Sequence, residues 1–536
     1  MPRIFYARAG ADFPFARIGG DVVAVIHVVE PGPTGGPGAM GCKILCASLR
    51  EHGHHVTHVR LQREGEPLQA YLFSDGEVDC HGVEERPDAY YISTIYTRQW
   101  TYLPSLFRRL GISLWQRDRS ESDPLVAFGG QTSYAPEPIA DFADVIALGD
   151  GELTGNYIAG LIDQGLPKRD ILADLDGRRG FYVPSRHPGE SRPAFQRWEA
   201  EAYEPRIIYP GDNSDSRPTI EVARGCKSKC AFCPIGWAGG TYREGDPGRV
   251  KDAVVAAVTR GHGGVNLFAP DYSSVTYVDD LDRFAASVGC ANRGVDARLD
   301  RAQRHLALGG TVKSFSFGVE GLSERLRCAI GKPLTRAKIL DVMASLSGAF
   351  SVKWYMIVGL PGEAQADMEE FKDLLSATAG LRRSRLNVTL TPLQAVPHTP
   401  LERVDMRYNE AAVARALELR AWCRERWERE GWMILCSGVK GRELHEHDAF
   451  LQRCDRRASA YLARANGSEG YVRNGTWRRD AEAAGICIED VLSPIPPEVV
   501  TPWDFVDVGI DPRRKRVAYS NYMRALESPE AANHVA

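Results

Sequence analysis

The sequence predicts an α/β protein in which two parallel sheets follow each other and a helical region completes the chain. Strand-like and helix-like segments alternate over residues 21–152, and six further strand–helix steps follow the segment 206–217. Such alternation is typical of doubly wound and barrel folds. We therefore expect an N-terminal doubly wound, Rossmann-like domain, then a partial TIM barrel, then a mainly helical region. The predicted domains are 1–205, 206–404 and 405–536.

The first domain begins with "DVVAVIHVVE" at 21–30, which is β-branched and apolar as a buried parallel strand should be. A glycine-rich turn at 31–41 comes next. Apolar residues at helical spacing then predict a helix over 42–53 that ends at Gly53. The remaining predicted strands of this domain are 55–61, 89–96, 124–130 and 143–152.

Residues 206–217 are polar and lack a hydrophobic period, so they predict a linker. The second series has helical patterns at 246–261 and 366–381. Its strands are predicted at 219–225, 264–270, 294–300, 314–320, 352–360 and 386–394. After about residue 405 the pattern becomes helical and rich in arginine.

Composition excludes several classes of function. The formal net charge of −4 gives no electrostatic footprint for nucleic acid, so we expect no nucleic-acid partner. No run of 18 apolar residues and no secretory pattern occurs, so we expect no membrane partner. Cysteines outside one triplet are scattered, which is typical of a reducing compartment, and the expected localisation is cytoplasmic.

That triplet is "CKSKCAFC", which places Cys226, Cys230 and Cys233 within eight positions. Thiolates are soft ligands that suit iron–sulfur clusters and zinc. A zinc knuckle needs a fourth cysteine or histidine nearby, but the next histidine is His262. Three thiolates without a fourth partner favour an iron–sulfur cluster with one open coordination position. A zinc-binding adaptor remains the non-enzyme alternative.

A C-x3-C-x2-C motif at the end of a barrel's first strand resembles the radical S-adenosylmethionine (SAM) superfamily. The resemblance implies that Cys226, Cys230 and Cys233 hold a [4Fe–4S] cluster, with SAM on the fourth iron. Phe232 matches the aromatic residue that usually precedes the last cysteine. The resemblance extends over residues 219–400.

The same resemblance implies contacts to SAM from the later strands. "LFAPDYSS" at 267–274 departs from the family's Gly-Gly-Glu segment, so Ala269, Pro270 and Asp271 are positional candidates for the SAM amine. Further implied contacts are Glu320 in "FSFGVEG" to the ribose, Gly359 and Pro361 in "GLPGE" to adenine, and Arg298 as a polar contact.

The N-terminal domain resembles the cobalamin-binding class of this superfamily at 28–61, 88–96 and 126–152. Ligands of doubly wound sheets bind at the carboxyl ends of the strands. Here these ends include the turn 31–41, and the candidate cobalamin contacts are Tyr96, Arg98, Trp100, Gly129, Gly130, Gln131, Gly149, Gly151 and Glu152. The first three are candidates for the lower face of the corrin. The Asp-x-His-x-x-Gly motif is missing, which implies cobalamin without a histidine below cobalt. The alternative is a domain that binds no cofactor.

The resemblance implies a cobalamin-dependent methyltransferase that acts on a carbon centre of a small molecule or peptide. Its expected electron donor is a flavodoxin or ferredoxin. The alternative is a radical SAM oxidoreductase or rearrangement enzyme without cobalamin. Methylthiolation ranks low, because Cys42, Cys46 and Cys80 are poorly spaced for additional cluster ligands. We expect the C-terminal region to cap the barrel, with His398, His447 and Trp503 as candidate pocket residues.

Overall fold

The computed structural model describes fourteen stretches of the chain. They are residues 23–32, 40–61, 69–74, 77–81, 86–189, 193–208, 217–292, 295–301, 314–346, 351–381, 385–407, 410–427, 434–438 and 442–527. Most of the predicted glycine-rich turn 31–41 and most of the predicted linker 206–217 lie outside these residues. Among the described helices, none combines the length and apolarity needed to cross a bilayer.

The N-terminal domain is built on one eight-stranded sheet. Its strands are β1 Val25–Pro31, β2 His55–Leu61, β3 Gln69–Ser74, β4 Glu77–His81, β5 Ala89–Ser93, β6 Leu125–Gly129, β7 Val145–Ala147 and β8 Phe181–Tyr182. The order is β4-β3-β2-β1-β5-β6-β7-β8, and β2, β1, β5, β6 and β7 are parallel. Because β2 and β5 flank β1 on opposite sides, the switch point lies between β1 and β5.

Helices cover this sheet and complete the doubly wound fold that the sequence predicts. They are α1 Met40–Glu51, α2 Leu103–Leu110, α3 Gly151–Asp163 and α4 Lys168–Leu175. Short 3-10 turns after β5 and β6 lie at Thr97–Tyr102 and Gln131–Tyr134. These two turns border the carboxyl ends of the strands beside the switch point.

The prediction of four or five strands was too low for this sheet. The missed strands are antiparallel: β3 pairs with β2, β4 with β3, and β8 with β7. An Asp-Gly pair at 75–76 separates β3 from β4, and such a pair between alternating segments is a strong hairpin signal. A pattern of alternating strands and helices does not contain such a hairpin, so the predicted strands omit it.

The second unit is an open barrel built mainly of parallel strands, in two larger sheets and one separate antiparallel pair. After β9 Phe195–Gln196, its strands are β10 Ile207–Ile208, β11 Thr219–Glu221, β12 Ala223–Arg224, β13 Arg243–Glu244, β14 Gly264–Phe268, β15 Ala291–Asn292, β16 Val295–Ala297, β17 Ser314–Glu320, β18 Ser351–Val358, β19 Leu386–Pro392 and β20 Ile434–Ser437. One sheet has the order β10-β11-β14-β15, and the other runs from β16 to β20 in sequence order. The six predicted barrel strands are all present.

Two details of this unit differ from the sequence prediction. Ile207–Ile208, at the start of the predicted linker, pairs antiparallel with β11. Strand β20 pairs parallel with β19, so the sheet continues beyond residue 404 into the region expected to be helical. The four-residue strand follows a long arginine-rich helix, Glu410–Trp427, whose pattern dominates that part of the sequence.

Helices surround the barrel and continue to the end of the described chain. They are α5 Pro234–Trp237, α6 Pro247–Thr259, α7 Val278–Ser287, α8 Glu324–Ala329, α9 Arg336–Ser345, α10 Gln365–Leu381, α11 Glu410–Trp427, α12 Arg442–Arg453, α13 Ala458–Leu462, α14 Glu469–Arg473, α15 Thr476–Ala483, α16 Ile488–Leu492 and α17 Pro512–Glu527. A short strand, β21 Val506–Asp507, pairs with β9 and ties this region to the first unit.

Candidate active site

The three cysteines of the triplet lie in the loop that follows β12. Gly225 starts this loop with a φ of 68°, and a Cβ there would lie 2.8 Å from the Thr241 carbonyl oxygen. The Cys233 amide donates to the Cys230 carbonyl at 3.1 Å, and the Trp237 indole donates to the same carbonyl at 3.0 Å. The loop is therefore held by its own backbone and by the short helix α5.

The three cysteines supply thiolates from one loop. Within the described residues, their sulfur atoms are not all within 4.8 Å of one another. Three thiolates are the expected donor set of an iron–sulfur cluster that leaves one iron open.

Charged side chains from several strands act on the Cys230 thiol. Burial raises the pKa of Cys230; Lys332 and Arg298 oppose this increase, whereas Glu320 and Cys226 add to it. Burial also raises the pKa of Cys233 to about 11, against hydrogen bonds from the backbone of Ile235 and Gly236. The barrel thus brings the predicted Arg298 and Glu320 to the predicted cysteines.

Arg298 connects the cysteine loop to the loop after β14. Its guanidinium donates to the Ser228 hydroxyl at 3.3 Å, between two of the cysteines, and its amide donates to the Ser273 hydroxyl at 3.3 Å. Ser273 in turn donates to Asp271 at 2.5 Å, and Arg301 lies 3.6 Å from the same carboxylate. The buried Asp271 therefore organises its own turn.

The other predicted residues of these loops differ in exposure. Ala269 is buried, whereas Pro270 and Phe232 are half-buried at the same end of the barrel. Phe232 packs against the core. Among these positions, Pro270 is therefore more accessible to a ligand than its neighbour Ala269.

Lys332 is a candidate site residue that the sequence interpretation missed. Its ammonium group donates to a Glu320 carboxylate oxygen at 3.0 Å and to the Gly318 carbonyl at 2.8 Å, and both charged side chains are nearly buried. Glu320 has a φ of 71°, and the strand register shifts between Gly318 and Glu320. A Cβ at Gly318 would lie 2.1 Å from the Glu320 carboxylate, so a larger residue there would displace the Glu320 side chain.

The predicted adenine-binding turn is braced from two sides. Gly359 has a φ of 80°, and its amide donates to the Glu363 carboxylate at 2.9 Å. Arg415 also donates to Glu363, at 2.7 Å. The Tyr522 hydroxyl of α17 donates to the Pro361 carbonyl at 2.6 Å. The C-terminal helix therefore supports the G-x-P turn from outside the barrel.

The barrel strands present a polar face opposite their buried face. On β17, β18 and β19, buried apolar residues alternate with half-buried or exposed ones. Neighbouring positions on the less buried face are Ser316, Lys353 and Asn387 in one row, and Gly318, Tyr355 and Thr389 in the next. Glu320 follows Gly318 on this face.

The turn after β6 lies beside the cysteine loop. Tyr134 and Ala135, at the end of this turn, belong to one apolar cluster with Ala238, which follows α5. The pKa of Tyr134 is raised by burial and by the Cys233 thiol. The predicted Gly129 ends β6, and the exposed Gly130 and Gln131 lead into the turn. The carboxyl end of β6 is therefore next to the cysteine loop.

The predicted residues after β5 differ in accessibility. Tyr96 is 60% exposed, whereas the side chain of Trp100 is fully buried in the core. Arg98 forms a two-point ion pair with Asp448 of α12, with Nε donating to Oδ1 at 2.9 Å. Only Tyr96 of these three presents an open surface. Within the described residues, the Gln99 amide nitrogen and the Trp100 indole nitrogen have no hydrogen-bond partner.

The glycines of the crevice at the carboxyl ends of the N-terminal strands serve the packing of the chain itself. A Cβ at Gly130 would lie 2.4 Å from the Thr94 carbonyl oxygen, and one at Gly149 would lie 2.0 Å from that of Trp198. The expectation that these glycines admit a corrin thus has a competing structural explanation. Gly151 begins α3 and makes only an ordinary contact with Leu45.

Glu152 lies in a buried ion-pair network between the two units. Arg224, two residues before Cys226, donates to Glu152 at 2.6 Å and to Glu221 at 2.8 Å. Burial would raise the pKa of Glu152, but Arg224 and Arg206 outweigh this effect and lower it to about 2. The neighbouring Asp150 pairs with Arg243. These contacts place Glu152 at the domain junction, where its carboxylate is already paired.

The three pocket candidates of the C-terminal part are packed into the protein. His398 bonds to the Tyr134 carbonyl at 2.9 Å, and the Trp503 indole donates to Glu402 at 2.9 Å. His447 bonds to the Tyr461 hydroxyl at 2.6 Å. Their burial and bonding explain them as structural residues rather than pocket walls.

Comparison with known protein families agrees with the geometry of the barrel. Residues 220–375 match the model "Radical SAM superfamily", and residues 82–184 match "Radical SAM proteins, N-terminal". Curated relatives include the uncharacterized protein MJ0966 of Methanocaldococcus jannaschii, 27% identical over 34% of this chain and 42% of the relative. The threonylcarbamoyladenosine tRNA methylthiotransferase MtaB of Treponema pallidum is 26% identical over 38% of this chain and 43% of its own length.

Another similar protein is the ribosomal protein uS12 methylthiotransferase RimO of Campylobacter jejuni, at 27% identity over 29% of this chain and 39% of the relative. The chain thus spans about two fifths of the length of these curated relatives.

Solved structures resemble more of the chain. The radical SAM methyltransferase TsrM from Kitasatospora setae, with tryptophan and a SAM analogue, aligns with 71% of this chain and 75% of its own at a TM-score of 0.51 and 16% identity. The cobalamin-dependent SAM radical enzyme OxsB aligns with 94% of this chain and 79% of its own at a TM-score of 0.52 and 12% identity. At these identities the likeness establishes the fold alone: a doubly wound domain followed by a barrel of parallel strands.

Proposed function

Since residues 220–375 of this chain form a domain of the radical SAM superfamily, we propose that the protein is a cobalamin-dependent methyltransferase acting on a carbon centre of a small molecule or peptide. The observation that carries the proposal is that the turn after β6 packs beside the cysteine loop. Tyr134 and Ala135 of the doubly wound domain share an apolar cluster with Ala238, which follows α5.

Cys226, Cys230 and Cys233 are the residues that would hold a [4Fe–4S] cluster. Their three thiols and their position beside Arg298 and Lys332 fit this group. When bound, the cluster supplies one electron to the sulfonium of SAM, and this reduction needs a potential near the low end of the iron–sulfur range. The nearby cations favour the thiolate form of Cys230, since each lowers the pKa of its thiol.

Lys332, Glu320 and Arg298 would orient SAM beside that cluster. The Lys332 ammonium lies next to the cysteine loop and can bind the carboxylate of SAM, while it keeps Glu320 in place for the ribose. The braced turn at Gly359 and Pro361 offers backbone to the adenine. Tyr522 and Glu363 keep this turn from moving.

Cobalamin fits the crevice less fully than SAM fits the barrel. Tyr96, Gly130 and Gln131 are exposed there, and two buried donors of the adjoining turn, on Gln99 and Trp100, have no partner within the described chain. These features suit a polar cofactor with an apolar face. The Trp100 side chain is buried in the core, and Glu152 is held in the ion-pair network, so both side chains are already used by the protein. This observation favours the alternative, a radical SAM enzyme without cobalamin.

One titration separates the two candidates. The protein, purified without oxygen and with its cluster reconstituted, is titrated with hydroxocobalamin, and retention of the corrin spectrum after desalting is measured. The proposal expects one corrin per chain, together with transfer of the SAM methyl group to a substrate. Absence of retained corrin, with SAM cleavage intact, would favour the alternative.

The cluster assignment has its own test. Replacing Cys226, Cys230 and Cys233 by alanine should abolish SAM cleavage and lower iron from about four per chain to background. The matched control is Cys487→Ala, which removes an exposed thiol elsewhere. Retained cleavage in the triple variant would contradict the proposal. The reductant, expected to be a flavodoxin or ferredoxin, is replaced by dithionite in these assays.

A further inference from the structure

A second group of metal-binding side chains lies in the N-terminal domain, away from the cysteine loop. Glu30 near the end of β1, His58 in β2 and Cys42 in the first turn of α1 are all buried, and their ligand atoms lie within 4.8 Å of one another. The parallel register pairs Val28 with His58 and Glu30 with Arg60. Both strands therefore direct these side chains to the sheet face that α1 covers.

The contacts within this group are short and specific. The His58 Nε2 atom lies 2.8 Å from Glu30 Oε1, and the Arg60 Nε atom lies 3.6 Å from Glu30 Oε2. The Cys42 thiol makes hydrogen bonds with Glu30 and with the Ser93 hydroxyl at the end of β5. Imidazole nitrogen, thiol sulfur and one carboxylate oxygen thus face one point, while Arg60 orients the second carboxylate oxygen.

Simple packing does not account for such a group. Val28, Val56 and Cys46 form an apolar cluster around Cys42 on the same face. Ionic groups buried beside apolar side chains lose hydration, and apolar residues of similar volume are often equally or more stabilising. A carboxylate, an imidazole and a thiol at one point in that surrounding therefore indicate a ligand that needs all three.

We propose that Glu30, Cys42 and His58 bind a single zinc ion. Zinc accepts nitrogen, sulfur and oxygen donors together, in tetrahedral geometry. The Cys42 thiolate and the Glu30 carboxylate balance the double positive charge of zinc, and the neighbouring Arg60 leaves one net positive charge at the site. On binding, the Cys42 thiol proton is released to solvent, and the S–H bond is replaced by an S–Zn bond.

Three protein ligands leave one coordination position open. The Ser93 hydroxyl already contacts Cys42 and, at the carboxyl end of β5, lies at the switch point of the sheet. The fourth ligand is therefore this hydroxyl or a water in the crevice. The ion links β1, β2 and α1 at the edge where a cofactor of a doubly wound domain binds. The inference does not depend on whether that cofactor is cobalamin.

The test measures zinc in the whole protein. Cluster-reconstituted protein is incubated with ZnSO4, treated briefly with EDTA and desalted, and zinc and iron are counted by mass spectrometry. We expect about one zinc per chain in the unsubstituted protein and background zinc in Cys42→Ala. The matched control is Cys46→Ala, which removes a buried thiol one helical turn away and should keep the zinc.

Two further measurements make the outcome decisive. The triple variant Cys226→Ala, Cys230→Ala, Cys233→Ala should retain its zinc, which separates this site from zinc bound by the cysteine loop. Zinc should also raise the melting temperature of the unsubstituted protein and of Cys46→Ala, but not of Cys42→Ala, because a ligand of the native state stabilises it. Background zinc in the unsubstituted protein, or equal zinc in Cys42→Ala and Cys46→Ala, would overturn the proposal.

Discussion

The carboxyl end of the barrel and the crevice of the N-terminal sheet lie next to each other but are built differently. In the barrel, the charged side chains Arg298, Glu320 and Lys332 act on Cys230 from two different segments of the chain. In the crevice, Gly130 and Gly149 are in close contact with neighbouring backbone. Charged side chains therefore dominate the first region, and the shape of the backbone dominates the second.

This difference predicts how substitutions in each region should affect cofactor binding and stability. Side chains of the barrel end are available to cofactors, so their loss should weaken binding. Charges at the edge of the crevice are used between the two units, as Arg224 shows by pairing with Glu152 and Glu221. Their loss should weaken the fold first and binding only as a consequence.

The largest expected effect is on stability and comes from Arg224→Met. This change leaves the buried Glu152 and Glu221 without their shared cation, and loss of one partner of a buried ion pair costs about 3–5 kcal/mol. Thermal and urea unfolding measure it. The matched control is Arg473→Met, which breaks an exposed pair with Glu469 and should cost less than about 0.5 kcal/mol. Equal effects of the two variants would contradict the role of the junction.

The next effect is on SAM binding and comes from Lys332→Met. Glu320 then keeps a nearly buried charge without its ammonium partner, and the proposed partner of the SAM carboxylate is lost. We expect the dissociation constant of SAM to rise about 100-fold, since truncating a buried charge pair costs roughly 2–5 kcal/mol. Calorimetry on the cluster-loaded protein measures it. Lys338→Met, on the outer helix α9, should leave SAM affinity unchanged; a comparable loss there would refute the specific role of Lys332.

The third effect is a dependence of stability on pH. Because the folded pKa of Glu152 is lowered to about 2, its ion pair contributes stability above the unfolded pKa of the carboxyl group. That contribution, at most about 3 kcal/mol, is lost as the pH falls from about 5 towards 2. Glu152→Gln should flatten this acid branch of the unfolding curve, whereas the exposed Glu482→Gln should not. If the acid branch is unchanged in Glu152→Gln, the ion pair of the Glu152 carboxylate does not contribute to the stability of the protein.

The strands that were predicted most accurately carry strong local patterns. His55–Leu61 and Ser314–Glu320 have the predicted bounds, because β-branched or aromatic residues fill a short run that ends at a turn. The hairpin of β3 and β4 and the strand β20 were missed for a different reason. Each lies in a segment whose neighbours suggest another structure. Their pairing with β2 or β19 is a non-local contact, which a local sequence pattern does not contain.

The site was predictable where a motif carries the chemistry. The segment at 315–321 predicts Glu320, but Lys332, eleven residues after that segment ends, is not predicted because a lysine is usually exposed. Its ammonium group pairs with the Glu320 carboxylate in the folded chain. The pairing of Glu152 with Arg224 of the other unit is likewise absent from any local pattern. Contacts between units depend on the final packing.

The smallest expected effect tests the crevice itself and comes from Tyr96→Ala. Tyr96 is the most exposed large side chain of the turn after β5, so its ring is free to contact the apolar face of a corrin. Loss of one aromatic contact costs about 0.5–1.5 kcal/mol, which predicts a threefold to tenfold weaker cobalamin affinity with unchanged SAM affinity. The matched control is Val500→Ala, an even more exposed apolar residue in the C-terminal region. If Tyr96→Ala binds cobalamin as tightly as this control does, the corrin does not contact the turn after β5.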